Sequence, residues 1–128
     1  MDTNEREILD LIRKGESLTV EFKSDRKKLP DSELVAAVVA LANTEGGVLL
    51  IGVEDDGAIS GQHISHQDTR ALAALIANRT NPPIIVAVEQ IRVQGLPVAI
   101  IRVHLCPFAV PKFGFVSLYG SQPATLPA

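Results

Sequence analysis

Hydrophobic side chains recur along this chain at two spacings, one typical of helices and one typical of strands. The helical spacing predicts three helices, at roughly residues 4–14, 32–43 and 66–78. Gly15 follows the first helix, as a helix-ending glycine should. The second helix is apolar on most of its sides, which indicates burial against a sheet.

The strand spacing predicts at least four strands, at residues 16–23, 48–53, 84–93 and 96–105. The second of these is apolar on both faces, as a central strand would be. Gln94-Gly95 separates the last two and predicts a hairpin, and Pro97 predicts that the final strand starts at a sheet edge. We therefore expect a single compact α/β (α+β) domain, with about three helices on a mixed sheet of five or six strands.

The charge balance limits the partners that the chain can have. Its 128 residues include 12 lysines and arginines against 15 aspartates and glutamates, a net charge of −3. Nucleic-acid-binding domains usually carry a basic excess, so any such binding must depend on a local patch. The lone cysteine, Cys106, excludes an internal disulfide framework and a thiolate metal cluster, and favours the cytoplasm. No segment approaches the ~20 apolar residues of a membrane span, so no membrane association is expected.

The segment after Cys106 has a different composition from the rest of the chain. It holds four of the five aromatic residues and four prolines, with Lys112 as its one charged residue. We expect so apolar a tail either to pack on a second copy, as in a homodimer or an oligomerisation module, or to continue into further domains after Ala128.

The acidic residues suggest one kind of chemistry. Glu16 and Glu21 flank the first predicted strand, and Glu54, Asp55 and Asp56 follow the central one. If the two strands are neighbours, these carboxylates converge at one rim, where they could bind Mg²⁺ or Mn²⁺. The alternative is that Asp-Asp-Gly is only a turn.

The basic residues suggest a second kind of chemistry, the binding of phosphate groups. Lys23, Arg26, Lys27 and Lys28 lie within six positions and could neutralise the phosphates of a nucleic acid. The alternative is a solvated surface loop.

The glycine pair Gly46-Gly47 follows Asn43 and Thr44 at the end of the second predicted helix. Glycines without Cβ allow a backbone to approach a ligand, so these four residues could contact nucleic acid. A simple helix end explains the glycines equally well. No Gly-Lys-Ser/Thr follows, so the chain lacks a P-loop for ATP.

The three histidines, His63, His66 and His104, lack the cysteine or carboxylate partners that would complete a zinc site. We interpret the first two as surface or loop residues.

Two sequence motifs resemble the Schlafen AlbA_2 domain family, formerly called divergent AAA_4. One is Glu16 followed by Val-Glu-Phe-Lys at residues 20–23. The other is Ala-Asn-Thr-x-Gly-Gly, an apolar strand and Gly-Val-Glu-Asp-Asp-Gly, together residues 42–57, with Ile-Ser-Gly at residues 59–61. The likeness spans roughly residues 10–122, so we expect the domain at residues 1–122 and a tail or linker at residues 123–128. Leu118 stands where the family commonly has arginine.

The resemblance implies a nucleic-acid-binding domain of a bacterial transcriptional regulator or RecG-like helicase-related protein, with DNA or RNA as partner. It also implies an alternative, a divalent-metal-dependent endoribonuclease with three carboxylates. Glu16 and Glu21 would supply two of these, and Glu54, Asp55 or Asp56 the third. The oligomerisation module is the remaining hypothesis.

Overall fold

Three α-helices and six strands make up the part of the chain that the structure describes, residues 3–112 of a computed structural model. The helices are α1 (Thr3–Lys14), α2 (Asp31–Thr44) and α3 (Thr69–Asn78), with a 3₁₀ turn at Ile64–His66. The strands are β1 (Val20–Lys23), β2 (Gly47–Ile51), β3 (Thr80–Asn81), β4 (Ala87–Val93), β5 (Leu96–Val103) and β6 (Val110–Pro111). The predictions for the aromatic tail beyond Lys112, Leu118, the domain end at 122 and the tail at 123–128 lie outside the described residues.

The main sheet has four strands in the order β1-β2-β5-β4. β1 runs parallel to β2, while β2 with β5 and β5 with β4 are antiparallel, so the sheet is mixed. This confirms the predicted fold class, but the mixed sheet has four strands and not the expected five or six. β3 and β6 do not join this sheet but pair with each other. Prolines explain why this second sheet stays so small, because Pro82 and Pro111 lack the N–H that a longer ladder needs.

The helices cover both faces of the main sheet. α2 and α3 pack on the face that carries Leu49 and Ile51 of β2, and α1 packs on the face that carries Leu50. All three of these side chains are at most 1% exposed. The prediction of a central strand that is apolar on both faces is therefore confirmed.

The first strand is shorter than predicted. Ser17 and Val20 close a tight turn through a 2.9 Å hydrogen bond from the Ser17 N–H to the Val20 carbonyl. Leu18, expected on the apolar face of the strand, lies in this turn and is 71% exposed. The alternation of apolar and polar residues continues through this turn, so hydrophobic spacing alone could not show that the strand begins only at Val20.

The third helix begins later than predicted. Asp68 caps it by accepting hydrogen bonds from the N–H groups of Arg70 and Ala71, at 3.0 and 3.1 Å. His66 belongs to the preceding 3₁₀ turn, so the polar residues before the cap do not extend the helix.

Pro97 does not mark a sheet edge, since β5 lies between β2 and β4. The last residue pair of β2 with β5 is Ile51 with Ala99, so Pro97 lies beyond the part of β5 that β2 covers. A missing N–H is tolerated there, because β5 has no ladder partner on that side.

Within residues 3–112, no helix combines the length and the apolar character needed to cross a membrane.

Candidate nucleic-acid interface

The positively charged residues predicted to bind phosphate lie where β1 meets the loop that follows it. We call residues 24–30 the basic loop and residues 54–57 the acidic turn. The Gly52 N–H donates to the carbonyl of Lys23 at 2.9 Å, so the chain leaves β1 and β2 at the same end of the sheet. The predicted adjacency of the two strands is confirmed, and the basic loop lies beside the acidic turn.

The four predicted basic side chains differ in how freely they can meet a ligand. Lys23 Nζ lies 3.4 Å from a Glu21 oxygen, and Arg26 Nε lies 3.6 Å from a Glu54 oxygen. The side chains of Lys27 and Lys28 are exposed, and no carboxylate among residues 3–112 forms an ion pair with either. Two of the four cations, both in the basic loop, are therefore open to an external anion, while Arg26 of the loop and Lys23 of β1 are partly neutralised.

A buried carboxylate fixes the shape of the basic loop. Asp25 is 0% exposed and accepts hydrogen bonds from the Leu29 N–H at 2.7 Å and the His63 N–H at 2.8 Å. The Lys28 N–H donates to the Asp25 carbonyl at 3.2 Å, and Lys28 has φ +57°, in the left-handed region that non-glycine residues seldom adopt. The loop is thus held in one conformation with its lysines outside.

The third partner of Asp25 is the imidazole of His66. Nδ1 lies 2.9 and 3.0 Å from the two carboxylate oxygens, and the His66 side chain is only 7% exposed. Of the two interpretations of His66, the surface position is wrong because its ring is buried, while its place in the 3₁₀ turn between β2 and α3 fits a loop residue. A carboxylate only accepts hydrogen bonds, so Nδ1 of His66 carries a proton and is the donor to Asp25.

Asp25 and His66 were missed because they lie 41 positions apart and belong to no spacing motif. One signal in the sequence could have found Asp25: it is the single acid within the cationic run from Lys23 to Lys28. An acid there weakens the run as a phosphate-binding segment, which suggests that it has a structural task.

Two clefts flank Lys28, which lines both of them. The first has a volume of about 160 Å³ and separates the basic loop from α3; its lining residues are Lys28, Asp31, Ser65, His66, Ala71, Leu72 and Leu75. The second, of about 360 Å³, runs along the loop itself and includes Arg26, Lys27 and Pro30. The exposed lysines therefore border concave surface.

The predicted carboxylate ligands have separate partners in the structure. Glu16 accepts a hydrogen bond from the Phe22 N–H at 2.9 Å, whereas Glu21 pairs with Lys23. Glu54 faces Arg26, and Asp55 is exposed. No three Asp, Glu, His or Cys side chains within residues 3–112 form a group that could hold a metal ion. The described residues thus do not fit the three-carboxylate site, and the catalytic and metal-binding roles of these acids stay predictions.

Neighbouring groups keep Glu54 in its ionised form. The hydroxyl of Ser60 donates to its carboxylate, and this bond lowers the pKa of Glu54 below its ordinary value. A hydrogen bond from Ser24 and the positive charge of Arg26 lower the pKa further. The acidic turn and the basic loop are therefore linked by a charged contact between them.

Asn43 and Thr44 lie away from the basic loop. They are the last two residues of α2, which leads into Gly47 at the start of β2, whereas the basic loop lies beyond the end of β2. The Asn43 side chain is engaged on both sides by Ala109: its Nδ2 donates to the carbonyl at 2.8 Å, and its Oδ1 accepts from the N–H at 3.0 Å. Thr44 Oγ1 donates to the Ala40 carbonyl at 2.7 Å. Asn43 thus holds the segment before β6, and the structure does not bring either residue to the loop.

The glycine pair fits the helix-end alternative. Gly46 follows Glu45, the C-cap residue of α2, has φ +77°, and donates its N–H to the Leu41 carbonyl at 2.7 Å. A Cβ on Gly47 would lie 2.2 Å from the carbonyl oxygen of Thr19, so this position approaches the backbone before β1. The glycines are required by the protein's own packing.

The same fold occurs in two solved structures. The N-terminal domain of a RecG-related protein from Nitrosomonas europaea is 21% identical over 89% of this chain and 83% of that domain, with a TM-score of 0.63. The DIP2311 protein from Corynebacterium diphtheriae is 24% identical over 80% of this chain, with a TM-score of 0.57. The chain spans only about a quarter of the DIP2311 protein, 26% of its length.

The family comparison agrees with the motifs at residues 16–23 and 42–57. The model of the family described as Schlafen, AlbA_2 matches residues 16–116, which include β1, the basic loop, the acidic turn and the whole main sheet. This chain therefore belongs to the Schlafen AlbA_2 family.

Proposed function

We propose that this domain binds nucleic acid, with the phosphate backbone of the nucleic acid lying along the basic loop. The observation that carries the proposal is the pair of exposed lysines, Lys27 and Lys28, which have no ion-pair partner within residues 3–112 and border two clefts. Lysines in such a position bind phosphates by releasing condensed counterions. Membership of the Schlafen AlbA_2 family and the likeness to a domain of a RecG-related protein support the same function.

Arg26 is a conditional part of this interface. The Arg26 side chain is 65% exposed, and its Nε lies 3.6 Å from a Glu54 carboxylate oxygen. This distance is typical of a weak surface ion pair. A phosphate can compete for it, because such pairs contribute little free energy in water. Lys23 is held more closely by Glu21, so we expect a smaller contribution from it.

The proposed partner is DNA or RNA, and the proposed setting is the cytoplasm, within a bacterial transcriptional regulator or RecG-like helicase-related protein. With a net charge of −3 the domain as a whole does not attract polyanions, so binding rests on the loop and weakens steeply with salt.

The test is a fluorescence-anisotropy titration of labelled single-stranded DNA, double-stranded DNA and tRNA at several salt concentrations. The Lys27→Ala/Lys28→Ala variant should bind more weakly than the wild type. Its slope of log affinity against log salt should be shallower by about 1.5, as expected for two lost phosphate contacts. The matched control is Lys112→Ala, which removes an exposed lysine outside the loop.

Equal affinities and slopes for the double variant and the wild type would contradict the proposal. Repeating the titration with Mg²⁺ or Mn²⁺ tests the endoribonuclease alternative, which requires metal-dependent cleavage that is lost in Glu21→Ala. A tight dimer in light scattering, together with no nucleic-acid binding in the titration, would favour the oligomerisation module.

A further inference from the structure

We infer that the cleft between the basic loop and α3 receives one unstacked pyrimidine base of a single-stranded nucleic acid. This inference rests on the proposed function, since it adds a base-binding site to the phosphate contacts of the loop. It assigns a role to His66 and to the cleft that His66 lines, which phosphate binding by the lysines does not use.

The chemistry of the cleft favours a base over a phosphate. Ala71, Leu72 and Leu75 of α3 form an apolar wall. Asp31 also lines the cleft, with its carboxylate 3.8 Å from Arg79 Nη2. Both features disfavour a phosphate, the first because it offers no hydrogen bonds and the second because its charge repels. An aromatic ring with polar edges suits both features of the cleft. Its face can lie on the apolar wall while its N–H groups point toward the Asp31 carboxylate.

The imidazole of His66 is held in a fixed position. Its Nδ1 is held by Asp25, and Nε2 has no hydrogen-bond partner among residues 3–112. The His66 side chain is more than nine-tenths buried and His66 lines the cleft, so a group bound inside the cleft is the ligand best placed to reach Nε2. The buried carboxylate therefore orients His66 for a ligand whose edge carries both N–H groups and carbonyl oxygens, as the edges of thymine, uracil and cytosine do.

The cleft also has the volume and position for a single ring. It encloses about 160 Å³. A cavity of about 150 Å³ in another protein holds one benzene molecule, so there is space for one six-membered ring. Lys28 lines both this cleft and the neighbouring cleft that includes Lys27. A nucleic-acid strand bound at the two lysines therefore passes the opening of the base-sized cleft.

The closing experiment fills the cleft without touching its polar groups. Ala71 and Ala74 are both exposed on α3, but only Ala71 lines the cleft. Ala71→Leu should occupy the space of the base, and Ala74→Leu is the matched control on the same helix. Leucine is a good helix former, so both variants should keep the fold.

The probes are oligo(dT), oligo(dA) and an abasic oligomer of the same length, which keeps the phosphates and lacks the bases. Ala71→Leu should weaken binding of oligo(dT) roughly tenfold, the value expected for one lost base contact. Binding of the abasic oligomer should not change, and Ala74→Leu should behave as wild type with every probe. His66→Asn, whose amide can still donate to Asp25, should also weaken oligo(dT) binding selectively.

The outcomes separate this inference from the proposed function. If Ala71→Leu binds oligo(dT) as wild type does, while Lys27→Ala/Lys28→Ala loses affinity, the base site is wrong and phosphate binding stands. An equal loss for the abasic oligomer would also overturn the base site. An equal loss with oligo(dA) would overturn the restriction to a pyrimidine. Failure of the wild type to bind any strand would overturn both.

Discussion

At the scale of single residues, Asp25 has the most connections in the candidate interface. Its carboxylate joins the basic loop, through Leu29, to the segment that contains His63 and His66. A buried carboxylate is tolerated only when hydrogen bonds replace its lost hydration, and three donors do so here. The conformation of Lys28 thus depends on a residue that contacts no ligand.

Replacing this carboxylate should destabilise the domain. Asp25→Asn removes the charge and turns one acceptor into a donor that faces another N–H, so we expect a loss of about 3 kcal/mol in the free energy of unfolding. Urea denaturation measures it. Asp55→Asn is the control, because Asp55 is exposed and the structure gives its side chain no hydrogen bond. Equal unfolding midpoints for the two variants would show that the Asp25 network contributes no stability.

Glu54 makes stability depend on pH in a defined direction. Its folded-state pKa is lowered, chiefly by the bond from Ser60, so ionised Glu54 stabilises the fold above the ordinary glutamate pKa. This contribution is lost as the pH falls through the lowered folded-state value. The wild type should therefore exceed Glu54→Gln in thermal midpoint at pH 7, and the gap should close below about pH 4.

The control for Glu54 is Glu45→Gln, an exposed glutamate whose side chain has no described hydrogen bond. Its difference from the wild type should be small at every pH. If the difference in thermal midpoint between the wild type and Glu54→Gln stayed constant on acidification, the prediction would be contradicted. The hydrogen bond from Ser60 would then not stabilise the fold through the ionised form of Glu54.

At the scale of elements, the turn between α2 and β2 fixes how the helix meets the sheet. Gly47 has φ +143°, and its α-carbon lies so close to the Thr19 carbonyl that no side chain fits. This contact sets the start of β2 beside β1, and so the position of the basic loop at the other end of the strand. The glycine acts on the interface through the register of two strands.

Substituting two glycines separates backbone strain from steric clash. Gly95→Ala places a Cβ in open space at φ +83°, so we expect a cost of about 1–2 kcal/mol from the left-handed backbone alone. Gly47→Ala adds a clash with the Thr19 carbonyl and should cost more than about 3 kcal/mol. Chemical denaturation of both variants measures the difference. Similar losses would show that the strands separate easily at this point.

The elements themselves could largely be predicted, and their ends could not. The helical spacing identified all three helices, and Gln94-Gly95 identified the β4–β5 hairpin. The errors at Leu18 and Pro97 arose because hydrophobic spacing reports burial and does not report where a turn closes or where a neighbouring strand ends. The pairing of β3 with β6 joins residues about thirty positions apart, which no local pattern shows.

At the scale of the whole molecule, the candidate interface combines one predictable part with one that only the fold assembles. Four cations within six positions were visible in the sequence, and the motifs at residues 16–23 and 42–57 identified the family correctly. The cleft could not be predicted, because Lys28, His66 and Ala71 come from three separate segments. The expected gathering of carboxylates is absent from residues 3–112, since Glu16, Glu21 and Glu54 each meet a different protein group.

The hydrogen bond from the Phe22 N–H to Glu16 has a consequence for self-association. β1 is an outer strand of the main sheet, and this bond occupies an outward amide that a foreign strand would need. Ser17 similarly occupies the carbonyl of Val20. Lateral growth of the sheet into fibrils is therefore obstructed along β1, which leaves β4 as the margin of this sheet where another polypeptide could be added.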